Sequence, residues 1–403
     1  MNMNYLRIGV DYFKITEKPL HSGDTITTLV KWSKSEISTD HGKAFLKEIP
    51  KYDGFVTIPS HVDYKEEIKG FYNEYHQLKH DLKKGEFDKT KMFLKHIFGQ
   101  QYALGLDYLT ILWHYPTQIL PILCLVSNER STGKTTFLNW LKLIFEKNMT
   151  INKNEDFRSQ FNADWATKLI VAIDEVLLDR REDSERIKNL STARTYKIEH
   201  KGKDKIETPF FGKFILCSNN EDNFILIDDK EIRYWVLKVP TINQGMEVSD
   251  LLEELESEIP YFLNYINQRK PNVTKKTRMW FTKEQITTDA LIKLVRGNKT
   301  NLENEIIELL KDDFIKFEKS ALCYSASDLV DKLKANNVRT TPTKISKILK
   351  DNFGLEQKNS SYKRHNLSSY PSAEDSKHYV ESTICKGRFF KIKKEIVFKS
   401  VDC

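Results

Sequence analysis

The sequence predicts an α/β protein built around a mostly parallel sheet. Three short apolar runs, at residues 122–126, 169–173 and 214–217, each end in polar residues and are separated by connections of helical length. A helical pattern precedes these runs, and helices followed by a β-hairpin come after them. In an open parallel sheet the binding site lies at the carboxyl ends of the strands, so the polar residues there are the first candidates.

Composition places the chain among globular proteins of two to four domains. It has 403 residues, 39% of them hydrophobic and 30% charged. We find no leader-like start and no run of 18 apolar residues, so we expect no membrane contact and a location in the cytoplasm, that of a bacterial host. The five cysteines lie far apart without a C-x-x-C pair, which argues against a zinc site or a disulfide framework.

The net charge of +7 is concentrated at one end of the chain. Residues 321–403 contain 16 lysines and arginines against 9 aspartates and glutamates, so the preceding residues sum to zero. A localised positive charge attracts polyanions, and this last fifth of the chain is where we first expect one.

The elements predicted ahead of the sheet are of two kinds. Residues 1–64 mix short β-like runs with turn residues, and we assign them no chemistry. Residues 65–116 show apolar spacing of three to four, including Phe71, Tyr75 and Phe93, which predicts a helical region with a candidate role in oligomerisation. Pro116 ends it. The core follows at 117–245, and a helical lid and linker at 246–299.

Residues 300–403 have a winged-helix pattern. Three helices are predicted at 302–317, 326–335 and 342–351, the last capped by Thr341 with Pro342 in its first position. A basic stretch and a final strand at 389–398 complete a β-hairpin. Lys344 and Lys347 are candidate DNA-binding residues on the third helix, although such a domain also serves for protein docking.

The clearest motif is Gly133-Lys134-Thr135, placed between the first strand and a helix. A nucleotide phosphate needs backbone N–H groups, a lysine for its β and γ oxygens, and a hydroxyl for Mg²⁺. The candidate nucleotide-binding residues are Asn128, Thr132, Gly133, Lys134, Thr135 and Thr136. Asn128 stands where the phosphate-loop pattern has its first glycine, and we expect it to tolerate a positive φ there. The alternative is a helix start with a surface lysine.

Asp174 and Glu175 follow the second strand and supply carboxylates. In nucleotide hydrolysis one carboxylate holds Mg²⁺ and its neighbour activates the attacking water. Asn219, at the end of the third strand, is suited to contact the γ-phosphate or that water. Solvated caps and a turn-forming asparagine are the alternative interpretations.

A β-hairpin with a basic tip is predicted between the second and third strands. Its candidate DNA-binding residues are Lys197, His200, Lys201 and Lys203. Basic tips also serve solubility, but next to a nucleotide site the phosphate backbone of a nucleic acid is the natural ligand.

In this order, the motifs of residues 93–240 resemble those of superfamily 3 helicases of viruses, phages and mobile elements, including the helicase part of primase-helicases. The segments that carry the resemblance are LPILCLVSNERSTGKTTFLNWL, LIVAIDE, KIEHKGKDKIETPF, FGKFILCSNN and DDKEIRYWVLKVP. The resemblance implies an AAA+-like fold that assembles into a homo-hexameric ring with ATP at subunit interfaces.

The resemblance also implies a role for each matching residue. Lys134 binds phosphate, Thr135 and Asp174 hold Mg²⁺, Glu175 is the base and Asn219 the sensor. Arg233 matches the arginine finger that reaches into the neighbouring subunit, and His200, Lys201 and Lys203 match the hairpin that grips single-stranded DNA.

The sequence therefore predicts an ATP-hydrolysing DNA helicase or translocase in replication of a phage or mobile element. Its expected partners are single-stranded DNA, duplex DNA and a separate primase, because residues 1–90 show no clustered carboxylates of a primase site. One alternative is an ATP-dependent initiator or switch that assembles on DNA without processive unwinding. Another is a DNA-packaging or regulatory ATPase.

Overall fold

A five-stranded sheet, in which all neighbouring strands run parallel, lies in the first of two units, Met1–Leu294 and Val295–Cys403. The predicted α/β class with a parallel sheet is thus confirmed. The computed structural model describes residues 4–19, 25–159, 162, 164–178, 181–198, 206–222, 224–227, 231–242, 250–297, 301–336, 338–367 and 379–398.

The chain before the central sheet begins with two small β-sheets. Their elements are β1 Tyr5–Ile8, β2 Asp11–Pro19, β3 Thr25–Trp32, α1 Lys34–His41, β4 Lys51–Tyr52, β5 Phe55–Val56, β6 Glu67–Ile68 and β7 Phe71–Asn73. The strand orders are β3-β2-β1-β4 and β5-β7-β6. Tyr5, Tyr12, Ile37 and Ile49 form the core of the first sheet. The β-like runs predicted before residue 64 are present.

The helical pattern expected from residue 65 is wrong up to residue 87, where the chain forms two short strands, a turn and irregular segments without a helix. Lys69 and Gly70 have φ of 51° and 82°, which makes the turn between β6 and β7. The buried Asn73 side chain donates to the Ile58 and Lys65 carbonyls at 3.0 Å, and these tertiary bonds favour the extended chain over a helix. Helices follow at α2 Asp88–Phe98 and α3 Tyr102–His114.

The central sheet has the strand order β14-β8-β13-β10-β9. Its region contains β8 Ile122–Val126, α4 Lys134–Phe145, β9 Met149–Asn152, α5 Asn154–Arg158, β10 Ile170–Ile173, α6 Arg181–Leu190, β11 Thr195–Ile198, β12 Ile206–Pro209, β13 Lys213–Ser218 and β14 Tyr234–Lys238. The three predicted strands are β8, β10 and β13. They are adjacent and parallel, so their carboxyl ends meet at one edge. Sequence inspection missed β9, which is short and half polar, and β14.

The helices before and after the sheet pack into the same hydrophobic core. They are α2, α3 and α4 with α7 Leu251–Gln268 and α8 Lys283–Ile286, and α9 Asp289–Gly297 follows them in the chain. Trp235 of β14 stacks on Phe98 of α2 with ring centroids 5.6 Å apart. The region before the sheet therefore supports the strands that carry the candidate site.

The second unit combines helices with a three-stranded antiparallel sheet of order β15-β17-β16. Its elements are α10 Asn301–Phe317, β15 Ala321–Tyr324, α11 Ala326–Ala335, α12 Pro342–Asp351, β16 Gln357–Leu367, β17 Val380–Lys393 and α13 Lys394–Phe398. The predicted cap is confirmed, because the Thr341 hydroxyl accepts from the Lys344 N–H and Pro342 opens α12.

The strand predicted over residues 389–398 is correct only as far as Lys393. The alternation of apolar and polar residues stops there, and residues 394–398 form α13 with Val397 buried in the core of the second unit. Within the described ranges, no helix is both long and apolar enough to cross a membrane.

Candidate functional site at the edge of the parallel sheet

A tight loop joins β8 to the amino terminus of α4. Gly133 caps the helix at φ 83°, and a Cβ there would lie 3.1 Å from the Phe93 ring and 3.2 Å from the Ile242 side chain. Only glycine fits this position without strain. Ser131 has φ 52°, and its carbonyl accepts from the Ile242 N–H at 3.0 Å. Backbone N–H groups at a helix start attract anions, so the loop has the geometry of a phosphate site.

Asn128 does not take the positive φ expected of it. Its side chain has another use, because Oδ1 of Asn128 accepts from the Glu221 N–H at 3.1 Å. In return, Oε1 of Glu221 accepts from the Asn128 N–H at 3.0 Å. This reciprocal pair fixes the start of the loop to the chain that leaves β13, and the departure from glycine has a structural reason.

Glu221 is a residue of the site that sequence reasoning missed. Its side chain is 4% exposed, and Lys238 and Lys293 lie 3.1 and 3.3 Å from its carboxylate. Burial acts to raise the pKa of Glu221, but the Asn128 hydrogen bond and the two lysines outweigh it, so this pKa lies below its usual value. The available signal was a carboxylate two positions after Asn219, at a strand end.

Lys134 is buried at the start of α4, where Nζ donates to the Thr132 hydroxyl at 2.9 Å. Burial lowers the pKa of Lys134, while the nearby acidic groups Cys217, Asp174 and Glu221 oppose that shift. The Thr132 carbonyl lies 3.0 Å from Nε2 of His96 on α2. His96 is a second supporting residue that carried no signal in the sequence.

Thr135 and Asp174, which the family resemblance assigns to one Mg²⁺ site, are in contact. Oγ1 of Thr135 donates to Oδ2 of Asp174 at 3.0 Å, although 39 positions separate them in the chain. Oδ1 of Asp174 accepts from the Glu175 N–H at 3.0 Å, which orients the carboxylate. A hydroxyl and a carboxylate thus face each other beside the Lys134 helix start.

Glu175 is exposed and lies just beyond β10 with φ 52°, a conformation rare for residues other than glycine. Its carbonyl accepts from Nδ2 of Asn154 at 3.2 Å, and Oδ1 of Asn154 accepts from the Leu177 N–H at 3.0 Å. Asn219 is also exposed and follows β13, whose last residue Ser218 pairs with Val126 of β8. The strand ends therefore bring Asp174, Glu175 and Asn219 to the edge that carries the loop.

Arg233 lies at the amino ends of the strands, opposite the carboxyl ends that carry the loop. It precedes β14, and its carbonyl accepts from the Ile122 N–H at 2.8 Å, at the amino end of β8. Nη1 of Arg233 donates to both carboxylate oxygens of Glu231 at 2.7 Å. Because the loop leaves the carboxyl end of β8, the chain does not bring Arg233 to its own Lys134.

The structure describes the two strands of the predicted hairpin. β11 and β12 pair antiparallel, with exposed Lys197 opposite Glu207. The Lys197 carbonyl accepts from Nδ2 of Asn162 at 2.9 Å, and Tyr196 stacks on the buried Trp165 with centroids 5.6 Å apart. The other candidates of the hairpin, at its tip, lie outside the described residues: His200, Lys201 and Lys203.

In the second unit, Lys344 and Lys347 are both exposed on α12, and Ile345 and Leu349 of the same helix are buried. Positions three apart lie on one helix face, so the two lysines point to the same side, away from the core.

Comparison with known proteins finds similarity to part of a phage protein. A model for a family of unknown function (DUF5906) matches residues 125–233, which include the loop, Asp174, Asn219 and the hairpin. The DNA primase-polymerase of Nitratiruptor phage NrS-1 is 25% identical over 214 residues, which are 50% of this chain. The chain spans 30% of that relative's length.

Solved structures of the NrS-1 C-terminal region in its apo form share the fold. One gives a TM-score of 0.64 at 16% identity and covers 96% of this chain and 95% of that chain. A second, in the A form, gives 0.63 at 16% identity with the same coverage. The chain is therefore similar in sequence to part of a phage DNA primase-polymerase and has the fold of the C-terminal region of NrS-1.

Proposed function

We propose that the chain is an ATP-dependent DNA helicase or translocase that acts in replication of a phage or mobile element. The observation that carries this proposal is the contact of the Thr135 hydroxyl with Asp174, beside a buried lysine at a glycine-ended loop. A hydroxyl, a carboxylate and a lysine at a helix start form the donor set that nucleoside triphosphates require.

ATP and Mg²⁺ fit the residues that the sheet edge provides. Mg²⁺ in nucleotide sites is held by one or two carboxylates with substrate phosphates, and Thr135 and Asp174 offer such a set. Bound there, the ion neutralises charge on the β and γ phosphates. In this proposal Lys134 binds phosphate together with Thr132 and Thr136, the exposed Glu175 takes a proton from water, and Asn219 acts as the sensor.

The proposal includes a homo-hexameric ring. Arg233 lies at the edge away from its own nucleotide site, which suits a residue that acts on a neighbouring subunit's phosphate. An arginine supplied in this way contributes about 10³ to 10⁵ in turnover at comparable sites. In such a ring the β11–β12 hairpin, with Lys197, His200, Lys201 and Lys203, contacts single-stranded DNA.

We infer that the second unit is a winged-helix domain that binds duplex DNA through Lys344 and Lys347. Its hairpin supports this, because β16 and β17 contain seven lysines and arginines against one glutamate. The relative's name, a DNA primase-polymerase, supports a replication role, and a primase supplied by another polypeptide or domain is the proposed partner.

The alternative is an ATP-dependent initiator or switch that assembles on DNA without processive unwinding. The same residues serve both roles. Displacement of a labelled strand from a forked substrate with ATP supports the helicase. Nucleotide-dependent assembly on the fork without displacement supports the switch.

Replacing Lys134 with Ala tests the nucleotide site. We expect ATP hydrolysis to fall to background, because the phosphate charge loses its counter-charge, while the thermal unfolding midpoint stays close to that of the wild type. Lys84→Ala, at an exposed lysine far from the loop in sequence, is the control and keeps full hydrolysis. Retained ATPase activity in Lys134→Ala would overturn the site assignment.

A further inference from the structure

A basic turn follows α7 in the first unit. Residues 270–281, with sequence KPNVTKKTRMWF, contain Lys270, Lys275, Lys276 and Arg278 and no acidic residue. All four cations are exposed. Within the described chain none of them forms an ion pair, and the one side-chain hydrogen bond among them joins Nζ of Lys275 to Oε1 of Gln118 at 2.7 Å.

The turn is rigidly attached to the fold. The buried carboxylate of Asp107 accepts from the Asn272 and Val273 N–H groups at 3.0 and 2.9 Å and pairs with Arg269. At the other end, the Arg278 carbonyl accepts from Nε2 of Gln118 at 2.7 Å. These bonds hold the lysine side of the turn against the segment that leads into the amino end of β8.

An exposed aromatic ring packs against the same turn. Tyr115, 50% exposed, stacks on Trp280 with centroids 5.6 Å apart and an interplanar angle of 27°. Trp280 has φ 73°, which is rare for a bulky residue, and Nε1 of Trp280 donates to the Val273 carbonyl at 2.7 Å. Backbone strain of this kind concentrates at functional sites. The strained tryptophan thus supports a tyrosine ring that is half exposed to solvent.

We propose that this turn and Tyr115 form a binding site for single-stranded DNA, separate from the β11–β12 hairpin. Clustered cations with an exposed ring match the backbone charge and the unstacked bases of a single strand. A duplex keeps its bases stacked, so it leaves the tyrosine face unused. The choice of DNA over RNA rests on the proposed function. The inference that the turn binds a single strand rests only on its cations and its exposed ring.

The lysines are tested by the salt dependence of binding to a labelled 20-nucleotide oligothymidine without ATP. In Lys275→Ala/Lys276→Ala, the slope of log K against log salt should shrink by about 1.4, because each lost phosphate contact on a single strand contributes about 0.7. The matched control is Lys83→Ala/Lys84→Ala, an exposed lysine pair flanked by Asp81 and Glu86. Equal slopes for the two double variants would exclude the site.

The ring is tested with Tyr115→Leu, which keeps apolar packing on Trp280 but removes the aromatic face. Binding of oligothymidine should weaken at least about fivefold, and Tyr115→Phe should bind like the wild type. Stacking is contradicted if Tyr115→Phe loses affinity for oligothymidine or if Tyr115→Leu keeps it. Stacking is also contradicted if Tyr115→Leu weakens binding of a 20-base-pair duplex as much as binding of oligothymidine. The choice of DNA is contradicted if the wild type binds oligouridine more tightly than oligothymidine.

Both tests stand apart from the nucleotide site. If Lys134→Ala keeps ATP hydrolysis, the proposed function fails while the binding measurements here are unaffected. If the lysine and tyrosine variants bind normally, this site fails and the proposed ATPase remains.

Discussion

Asn128 and Glu221 are joined by two reciprocal hydrogen bonds at the start of the phosphate loop. The carboxylate also contacts Lys238 at the end of β14 and Lys293 on α9. Because Asn128 has no positive φ, a glycine there gains nothing from its conformational freedom. The Asn128 side chain therefore stabilises this loop, because its amide oxygen accepts a hydrogen bond from the N–H of Glu221, whose carboxylate is buried.

Asn128→Gly, which restores the usual glycine, should lower the free energy of unfolding by about 1 to 3 kcal/mol, since the Glu221 N–H loses its acceptor and the unfolded chain gains freedom. Urea unfolding measures the change. We also expect a higher KM for ATP, because the loop start is less fixed. A variant as stable as the wild type, with unchanged KM, shows that the pair is dispensable.

His61 is partly buried, and its ring lies against Trp113 of α3 and Phe145 of α4. Its Nδ1 lies 2.9 Å from the Trp113 carbonyl, and its Nε2 2.7 Å from the Tyr75 hydroxyl. Burial lowers the pKa of His61 to about 4, with the Trp113 hydrogen bond opposing this and the charge of Lys213 adding to it. Between pH 6.5 and 4 the unfolded chain therefore binds a proton that the native imidazole does not.

It follows that His61 makes the protein less stable as pH falls below 6.5. From this group we expect a loss of about 2 kcal/mol in the free energy of unfolding between pH 7 and pH 5. His61→Gln lacks the titration, so the stability difference between the two proteins, measured by urea unfolding, should change by that amount. A difference that is constant with pH contradicts the assignment.

Among the elements, the β16–β17 hairpin has one outward basic face. Three register pairs, Asn359–Arg388, Ser361–Lys386 and Lys363–Ile384, are exposed. The intervening pairs include the buried Tyr362, whose hydroxyl donates to Asp328 of α11 at 2.8 Å. The side chains of these intervening pairs therefore lie on the hairpin face that packs on α11. Strand alternation thus places two lysines and an arginine on the solvent side without an acid among these pairs.

Replacing Lys363, Lys386 and Arg388 together with Ala should leave folding intact, since these side chains are exposed. If each contacts a phosphate of duplex DNA, the slope of log K against log salt shrinks by about 2.7 in total. Fluorescence anisotropy with a labelled duplex measures it, with Lys83→Ala/Lys84→Ala as the control. An unchanged slope removes this hairpin from duplex binding.

The sequence identified elements better than it identified supporting contacts. β8, β10 and β13 were predicted because buried parallel strands are continuous apolar runs ending in polar residues. Thr135 and Asp174 were paired only through the family resemblance, and the adjacent parallel strands explain their contact. The position of Glu221 after β13 was readable in the same way, but its contacts with Lys238 and Lys293 were not, because they depend on how distant segments fold together. The apolar spacing in residues 65–87 wrongly predicted a helix for a related reason. Hydrogen bonds between distant segments, such as those of the Asn73 side chain, determine the backbone there.

At the scale of the whole molecule, the two edges of the parallel sheet have different candidate roles. Lys134 and Asp174 lie at the carboxyl edge, and Arg233 at the amino edge. A single chain separates them, so in the proposed head-to-tail ring one subunit's arginine would meet the nucleotide of the next subunit.

Mixing two inactive variants tests this ring. Lys134→Ala and Arg233→Ala should each lose ATP hydrolysis alone, but an equal mixture should form some interfaces with an intact lysine on one side and an intact arginine on the other. We expect recovery of up to about a quarter of wild-type turnover, the fraction that random assembly gives. No recovery in co-assembled mixtures, shown by mass to be rings, indicates that Arg233 does not act between subunits.

The parallel pairing of β8 has a consequence for how the chain is made. Tyr234 of β14 pairs with Ile122 of β8, 112 positions earlier, and β13 on the other side of β8 is almost as distant. On a ribosome, which adds about 5 to 20 residues each second, the apolar residues of β8 wait roughly 6 to 20 seconds for both neighbours. During that interval this strand is a target for chaperones or for aggregation, so slower translation before β14 should lower the yield of folded protein.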